Sequence, residues 1–312
     1  MSSTPASPTI FARGLVEVRS PREILATLDD HGQLDGLPFM PEMLAYCGQR
    51  ITVARRASRT CAVGHGFRRM QAAVFLQDVR CNGSVHDNCD RGCLLFWKEA
   101  WLKPLTADAV EEVADHTADL KAARVLARLP TRRDGAYVCQ STQLAAATTP
   151  IARWDIRPWL REVWRGDLSA RECASSVWRA LLRRLLRRPD VLPLTGNAVT
   201  PSRGELRLKQ GEWITVKSHD DIRGTLDAGG RNRGLVFQPT MNGAAGGTYR
   251  VAFPVRRMIV ETTGQMIELS NTVALEGVMC QGACVAHCPR REFLFWRESW
   301  LERAEKERHP PG

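Results

Sequence analysis

The sequence predicts an α+β protein built from two duplicated small β-barrel modules, each ending in a cysteine cluster and an aromatic helix, with a helical middle region joining them. Three observations carry this. One stretch occurs twice: Cys81, Cys89 and Cys93 lead into Phe96-Trp97-Lys98-Glu99-Ala100-Trp101-Leu102, and Cys280, Cys284 and Cys288 lead into Phe295-Trp296-Arg297-Glu298-Ser299-Trp300-Leu301. Setting Trp97 on Trp296 fixes an offset of 199, which also lands Cys81 on Cys280, Cys89 on Cys288, Glu99 on Glu298 and Trp101 on Trp300. Ahead of each stretch run short strand candidates separated by turn signals, and between the copies the pattern changes to helical periodicity.

In the first copy, residues 14–20 alternate apolar and polar as a half-buried strand does. Residues 21–28 follow as a short helix, with Ser20 as N-cap, Pro21 in the first turn and Glu23 completing a capping box. The prolines of Gly36-Leu37-Pro38-Phe39-Met40-Pro41-Glu42-Met43 make a stiff loop, and strands resume at residues 50–53 and 73–76. The second copy repeats the order: strand 213–218, helix 220–227, and a loop over residues 234–241 that shares Gly, Leu, Phe, Pro and Met with the first at an offset of 198. Further strands are expected at 249–253, 258–262 and 266–269. Short, closely spaced strands favour a small closed or half-closed barrel, for which the SH3-like architecture is the nearest common form.

The middle region has good helix formers over residues 107–129, a turn at Arg132-Arg133-Asp134-Gly135, and helical patterns over 154–164 and 170–188, the last stopped by Pro189. In the last, Val177, Leu181, Leu182 and Leu185 share a face and Arg179, Arg183, Arg184, Arg187 and Arg188 supply the rest. Such a helix is either an amphipathic element with a solvated basic face or a surface for phosphate or RNA. The chain therefore divides into a flexible arm (1–12), a first barrel module (13–105), a helical middle (106–204), a second barrel module (205–303) and a tail (304–312).

With 44% apolar and 25% charged residues, the 312-residue chain has the balance of a globular protein, which excludes disorder as the default. The opening Met1-Ser2-Ser3-Thr4-Pro5 lacks the basic start and apolar core of a secretory signal, and no apolar run approaches spanning length, so the expectation is a cytoplasmic protein with no membrane partner. Ten cysteines in that compartment point to metal ligands or redox groups before disulfides. The formal charge of +10 admits an anionic ligand or nucleic acid as partner, although an arginine excess alone does not favour nucleic acid.

Cysteine spacing defines the candidate sites. Cys280-x3-Cys284-x3-Cys288-Pro289 places Pro289 at the start of an expected helix through Phe293, Trp296 and Trp300, with Cys288 as its N-cap, where the helix dipole favours the thiolate. In the first copy Cys81, His86, Cys89 and Cys93 make a complete set of four ligands. Convergent thiolates suit zinc or an iron–sulfur cluster, and not magnesium or calcium. Cys-Pro at the last ligand is a familiar iron–sulfur ending. The second set lacks an obvious fourth ligand, for which His287, Cys139, Cys61 and Cys47 are candidates, and an incomplete shell is how a metal engages substrate. The alternatives are buried core thiols or a redox dithiol. Leu94, Trp97 and Trp101, like Phe293, Trp296 and Trp300, follow helical spacing and are expected to dock each helix on its barrel, with Glu99 and Glu298 off that stripe, either paired with a neighbouring arginine or serving chemistry. Phosphate-binding loops, dinucleotide fingerprints, metalloprotease motifs and nucleophile elbows are absent.

At Leu37-Pro38-Phe39-Met40-Pro41-Glu42-Met43, Tyr46-Cys47-Gly48 and Phe96-Trp97-Lys98-Glu99-Ala100-Trp101-Leu102 the chain resembles an uncharacterised bacterial family of tandem cysteine-containing modules. The resemblance covers most of residues 14–301 and implies a place beside biosynthetic enzymes. The expected function is thus a metal- or iron–sulfur-binding cytosolic protein acting as a redox or substrate-engaging component of a biosynthetic pathway. The alternatives are a zinc-stapled, non-enzymatic module that binds RNA or an acidic protein, and a scaffold that docks a pathway enzyme.

Overall fold

Alternation sets the first strand: in β1 (Leu15–Val18) Val16 and Val18 are fully buried while Leu15 faces solvent. The computed structural model describes residues 14–105, 115–152, 155, 157–165, 194–200, 202, 204–280 and 288–304. They fall into two units. The first holds the described residues up to 165 together with Ile259–Met266 and Cys288–Arg290; the second holds the remaining described residues from 194 to 304. The fold is mixed α+β, mostly short strands with few helices.

In the first unit α1 (Pro21–Leu25) forms with the expected cap: Ser20 Oγ accepts from the Glu23 amide and Glu23 Oε2 accepts from the Ser20 amide. The Pro-rich loop becomes a 3-10 helix, Pro41–Tyr46, that buries Met43. Strands β2 (Arg50–Arg56), β3 (Arg59–Ala62), β4 (Gly66–Arg69), β5 (Ala73–Arg80), β6 (Leu94–Lys98) and β7 (Leu102–Pro104) follow. Five of them make one antiparallel sheet in the order β6-β5-β2-β1-β7. Register irregularities between Val53 and Arg55 and between Phe75 and Arg80 add twist. Because β6 and β7 lie at opposite edges yet are joined by a single 3-10 turn, Glu99–Trp101, the sheet must curl into a half-barrel.

The middle segment completes this core. Asp115 caps α2 (His116–Leu126) by accepting from the Ala118 amide, and Leu126, Leu129, Cys139, Leu144 and Ala147 pack into the same cluster as Trp97 and Trp101. The turn at Asp134-Gly135 forms, with both residues at positive φ, between Arg132–Arg133 and Ala136–Tyr137. From α3 (Arg157–Trp164) the buried Glu162 accepts from Arg59 Nε at 2.7 Å and from Ser58 Oγ at 2.9 Å. The basic 170–188 segment lies outside the described residues.

The second unit repeats the plan. Strands β8 (Trp213–Val216), β9 (Thr248–Pro254), β10 (Thr272–Met279), β11 (Phe293–Arg297) and β12 (Leu301–Arg303) pair in the order β11-β10-β9-β8-β12, with α4 (His219–Arg223) in the place of α1. Its irregularities fall between Val251 and Phe253 and between Ala274 and Met279, matching those of the first sheet.

The aromatic helices do not form. Residues 94–98 and 293–297 are strands, and the tryptophans at 101 and 300 close the 3-10 turns that follow. The reason is visible in the burial. Leu95, Phe96, Trp97 and Lys98 are buried consecutively, which needs cover on both faces of an extended strand, whereas a helix on a barrel would bury one stripe. Among the described residues no helix is long and apolar enough to cross a membrane.

Candidate metal centre

The loop that follows β5 is closed by the Cys81 amide, which donates to the Cys93 carbonyl at 2.8 Å. Inside it, Gly83 has φ +70° and its backbone lies so close to Cys89 that a Cβ would sit 2.1 Å from the Cys89 carbonyl oxygen. Only glycine fits there. Asp87 and Asn88 are also left-handed, and the tight turn carries His86 inward until it is 1% exposed.

His86 Nε2 lies 3.0 Å from the Val138 carbonyl, which can only accept, so Nε2 carries the proton. The other ring nitrogen, Nδ1, lies 3.8 Å from Glu42 Oε1. Glu42 comes from the 3-10 helix Pro41–Tyr46, and the same oxygen accepts from Cys81 Sγ at 3.2 Å. Glu42 Oε2 and His86 Nδ1 are both buried without a hydrogen-bond partner. Cys93 Sγ lies 3.3 Å from Ser141 Oγ. Burial, then the charges of Glu42 and Cys93, push the Cys81 thiol well above the usual range.

Of the four ligands expected in the first copy, Cys81 and His86 therefore reach one buried carboxylate, Glu42, while Cys93 lies near Cys81 and against Ser141. The fourth, Cys89, is turned to the amide of Ile259, which donates to its sulfur at 3.4 Å. In the second copy the amide of Cys280 donates to Glu292 O at 2.8 Å, the counterpart of the Cys81–Cys93 closure, while Cys284 lies outside the described residues. Cys288 belongs to the first unit, where its sulfur donates to Cys61 Sγ at 3.5 Å. The expected helix N-cap at Cys288 is corrected with the helix itself: the residue precedes a turn and a strand. Without a helix dipole, the Cys61 sulfur and burial raise the Cys288 thiol instead of easing its ionisation. Among the described residues no group of three or more His, Cys, Asp or Glu side chains is placed to hold a metal ion.

Sequence reasoning passes over Glu42 as a donor and over a second buried group in the first unit. Glu261 accepts from the Val63 amide at 2.9 Å, from Arg91 Nη2 at 2.9 Å and from both Arg290 nitrogens at 3.1 and 2.8 Å. Arg290 Nη1 also donates to the Cys61 carbonyl at 2.8 Å. One signal was available: setting the copies together puts Thr240 opposite Glu42, Val285 opposite His86 and Glu292 opposite Cys93, which marks these donors as particular to the first copy. Glu99 pairs with an arginine as expected, Arg56 at 3.1 Å, whereas Glu298 accepts from the backbone amides of Arg207 and Leu208 at 3.0 and 2.8 Å. Comparison of the chain with family models, with curated proteins and with solved structures gives no match in any of the three.

Proposed function

We propose that the first unit is a metal-binding module in which Cys81, His86, Cys93 and Glu42 hold one zinc ion as a structural staple. A single observation carries the reading: His86 Nε2 is tied to a backbone carbonyl while its other nitrogen, buried and without a hydrogen-bond partner, faces a buried carboxylate. A lone pair facing a carboxylate oxygen is repulsive unless a proton or a metal ion lies between them, and a backbone carbonyl is the usual orienter of a metal-bound imidazole. A mixture of sulfur, nitrogen and carboxylate oxygen suits zinc better than an iron–sulfur cluster, which prefers thiolates throughout.

The second copy supports the same reading. It builds the same five-stranded order with threonine, valine and glutamate at the positions of Glu42, His86 and Cys93, so the fold does not require these donors. Burying them costs desolvation, which a bound cation offsets. The burial of the His86 and Glu42 side chains, with Cys81 and Cys93 partly buried, favours a closed site over one that admits substrate. Zinc would fasten the 81–93 loop to the 3-10 helix that carries Glu42. The modules read as SH3-like barrels, since a 3-10 turn joins the last two strands and the last strand pairs with the first. The whole is then a zinc-stapled binding module.

The test is metal analysis of anaerobically purified protein with its visible spectrum. The expected result is colourless protein with about one zinc per chain, lost in Cys81→Ser and His86→Ala and reduced in Glu42→Gln. A folded, metal-free wild type, or brown protein with iron and sulfide, overturns the proposal.

A further inference from the structure

We infer that Cys61 and Cys288 form a second site, a dithiol that exchanges with low-molecular-weight disulfides and closes into a protein disulfide. Their sulfurs are 3.5 Å apart although the residues are 227 positions apart in sequence, so the fold brings them together. A disulfide needs about 2.05 Å between sulfurs, a gap that side-chain rotation can close. No disulfide is present among the described cysteines.

Both partners are held in place. Cys61 lies within β3, paired opposite Phe67 of β4, and Arg290, two residues beyond Cys288, donates to the carbonyl of Cys61 itself. Glu261 locks that arginine by two further bonds and also accepts from the amide of Val63, two residues beyond Cys61. The strand does not need a thiol here, since the second copy has Ile259 or Val260 in the corresponding place. The exposures differ in the sense that such chemistry requires. Cys61 is partly exposed and Cys288 is buried, which makes Cys61 the entry point and Cys288 the resolving sulfur.

The exchange has two balanced steps. The Cys61 thiolate attacks one sulfur of the reagent disulfide, forms a mixed disulfide and releases one thiolate. Cys288, after giving its proton to solvent, attacks the Cys61 sulfur, forms the Cys61–Cys288 bond and expels the second thiolate. Two electrons leave the protein, the reagent becomes two thiols, and excess thiol reverses both steps. Neither sulfur belongs to the proposed zinc set, so the inference stands apart from that reading.

The full-length protein is incubated with oxidised glutathione, quenched in acid, alkylated and mapped by mass spectrometry without reduction. The expected product is a crosslinked pair of peptides carrying Cys61 and Cys288, two hydrogens lighter than their sum. In Cys288→Ser the glutathione should remain on Cys61 as the main species, and in Cys61→Ser both the crosslink and any adduct on Cys288 should be lost with zinc content unchanged. A glutathione adduct that persists on Cys61 in the wild type, or recovery of both thiols alkylated and uncrosslinked, overturns the inference.

Discussion

At the scale of single residues the two copies preserve one hydrogen bond in the same geometry. The indole nitrogen of Trp101 donates to Thr27 Oγ1 at 3.0 Å, and that of Trp300 donates to Thr225 Oγ1 at 3.0 Å, with both rings fully buried. Replacing Thr27 with valine keeps the shape and leaves a buried N–H without an acceptor, which should cost about 1–3 kcal/mol; urea unfolding measures it, and Thr225→Val should behave alike. The burial of these tryptophans was legible in the sequence because a large ring at a repeated position has few other uses. That Cys81, His86 and Cys93 lie along a single loop was legible as well, from their spacing. Glu42 was not, because it reaches Cys81 from 39 positions away and proximity of that kind leaves no local pattern.

Elements show a different division. The cap of α1 was readable to the residue, since Ser20, Pro21 and Glu23 act on backbone groups within one turn. Burial would raise the Glu23 carboxyl, but bonds from the Ser20 amide, Lys103 and Arg19 outweigh it and leave its pKa below the usual value. A carboxyl lowered on folding stabilises above its unfolded pKa and ceases to as pH falls through its folded one. Glu23→Gln should therefore cost roughly 0.5–1 kcal/mol at neutral pH, at the lower end because solvent screens the group, and the difference from wild type should vanish in acid, as chemical denaturation at several pH values will show. The aromatic elements were misread because Leu94-Leu95-Phe96-Trp97 is a short apolar run whose i, i+3 spacing is compatible with either state. In the cysteine loop, Gly83→Ala places a Cβ against Cys89 in a left-handed conformation and should cost about 2–3 kcal/mol and, on the zinc proposal, lower the metal content, read by calorimetry and metal analysis.

For the whole molecule, the duplication was legible, down to the shift of offset from 198 to 199 between the early and late parts of the repeat. The asymmetry between the copies was legible only in the donors that the second copy lacks; that the middle segment packs on the first core and that two later segments join the first unit was not, because neither leaves a local pattern. The zinc proposal makes that asymmetry measurable. A chelator should speed hydrogen exchange in the first sheet, read on β5 peptides, while the equivalent β10 peptides of the second unit stay protected; equal acceleration in both would contradict a staple confined to one copy.

The Glu261 and Arg290 cluster also constrains the order of events during synthesis. Both residues belong to the first unit but are encoded in the second copy, Glu261 near its middle and Arg290 near its end. A nascent chain that has emerged only through its first copy has not yet supplied the carboxylate that Arg91 and the Val63 amide bind. Maturation of that region waits until translation is nearly finished, and a fragment cut between the copies keeps the defect permanently.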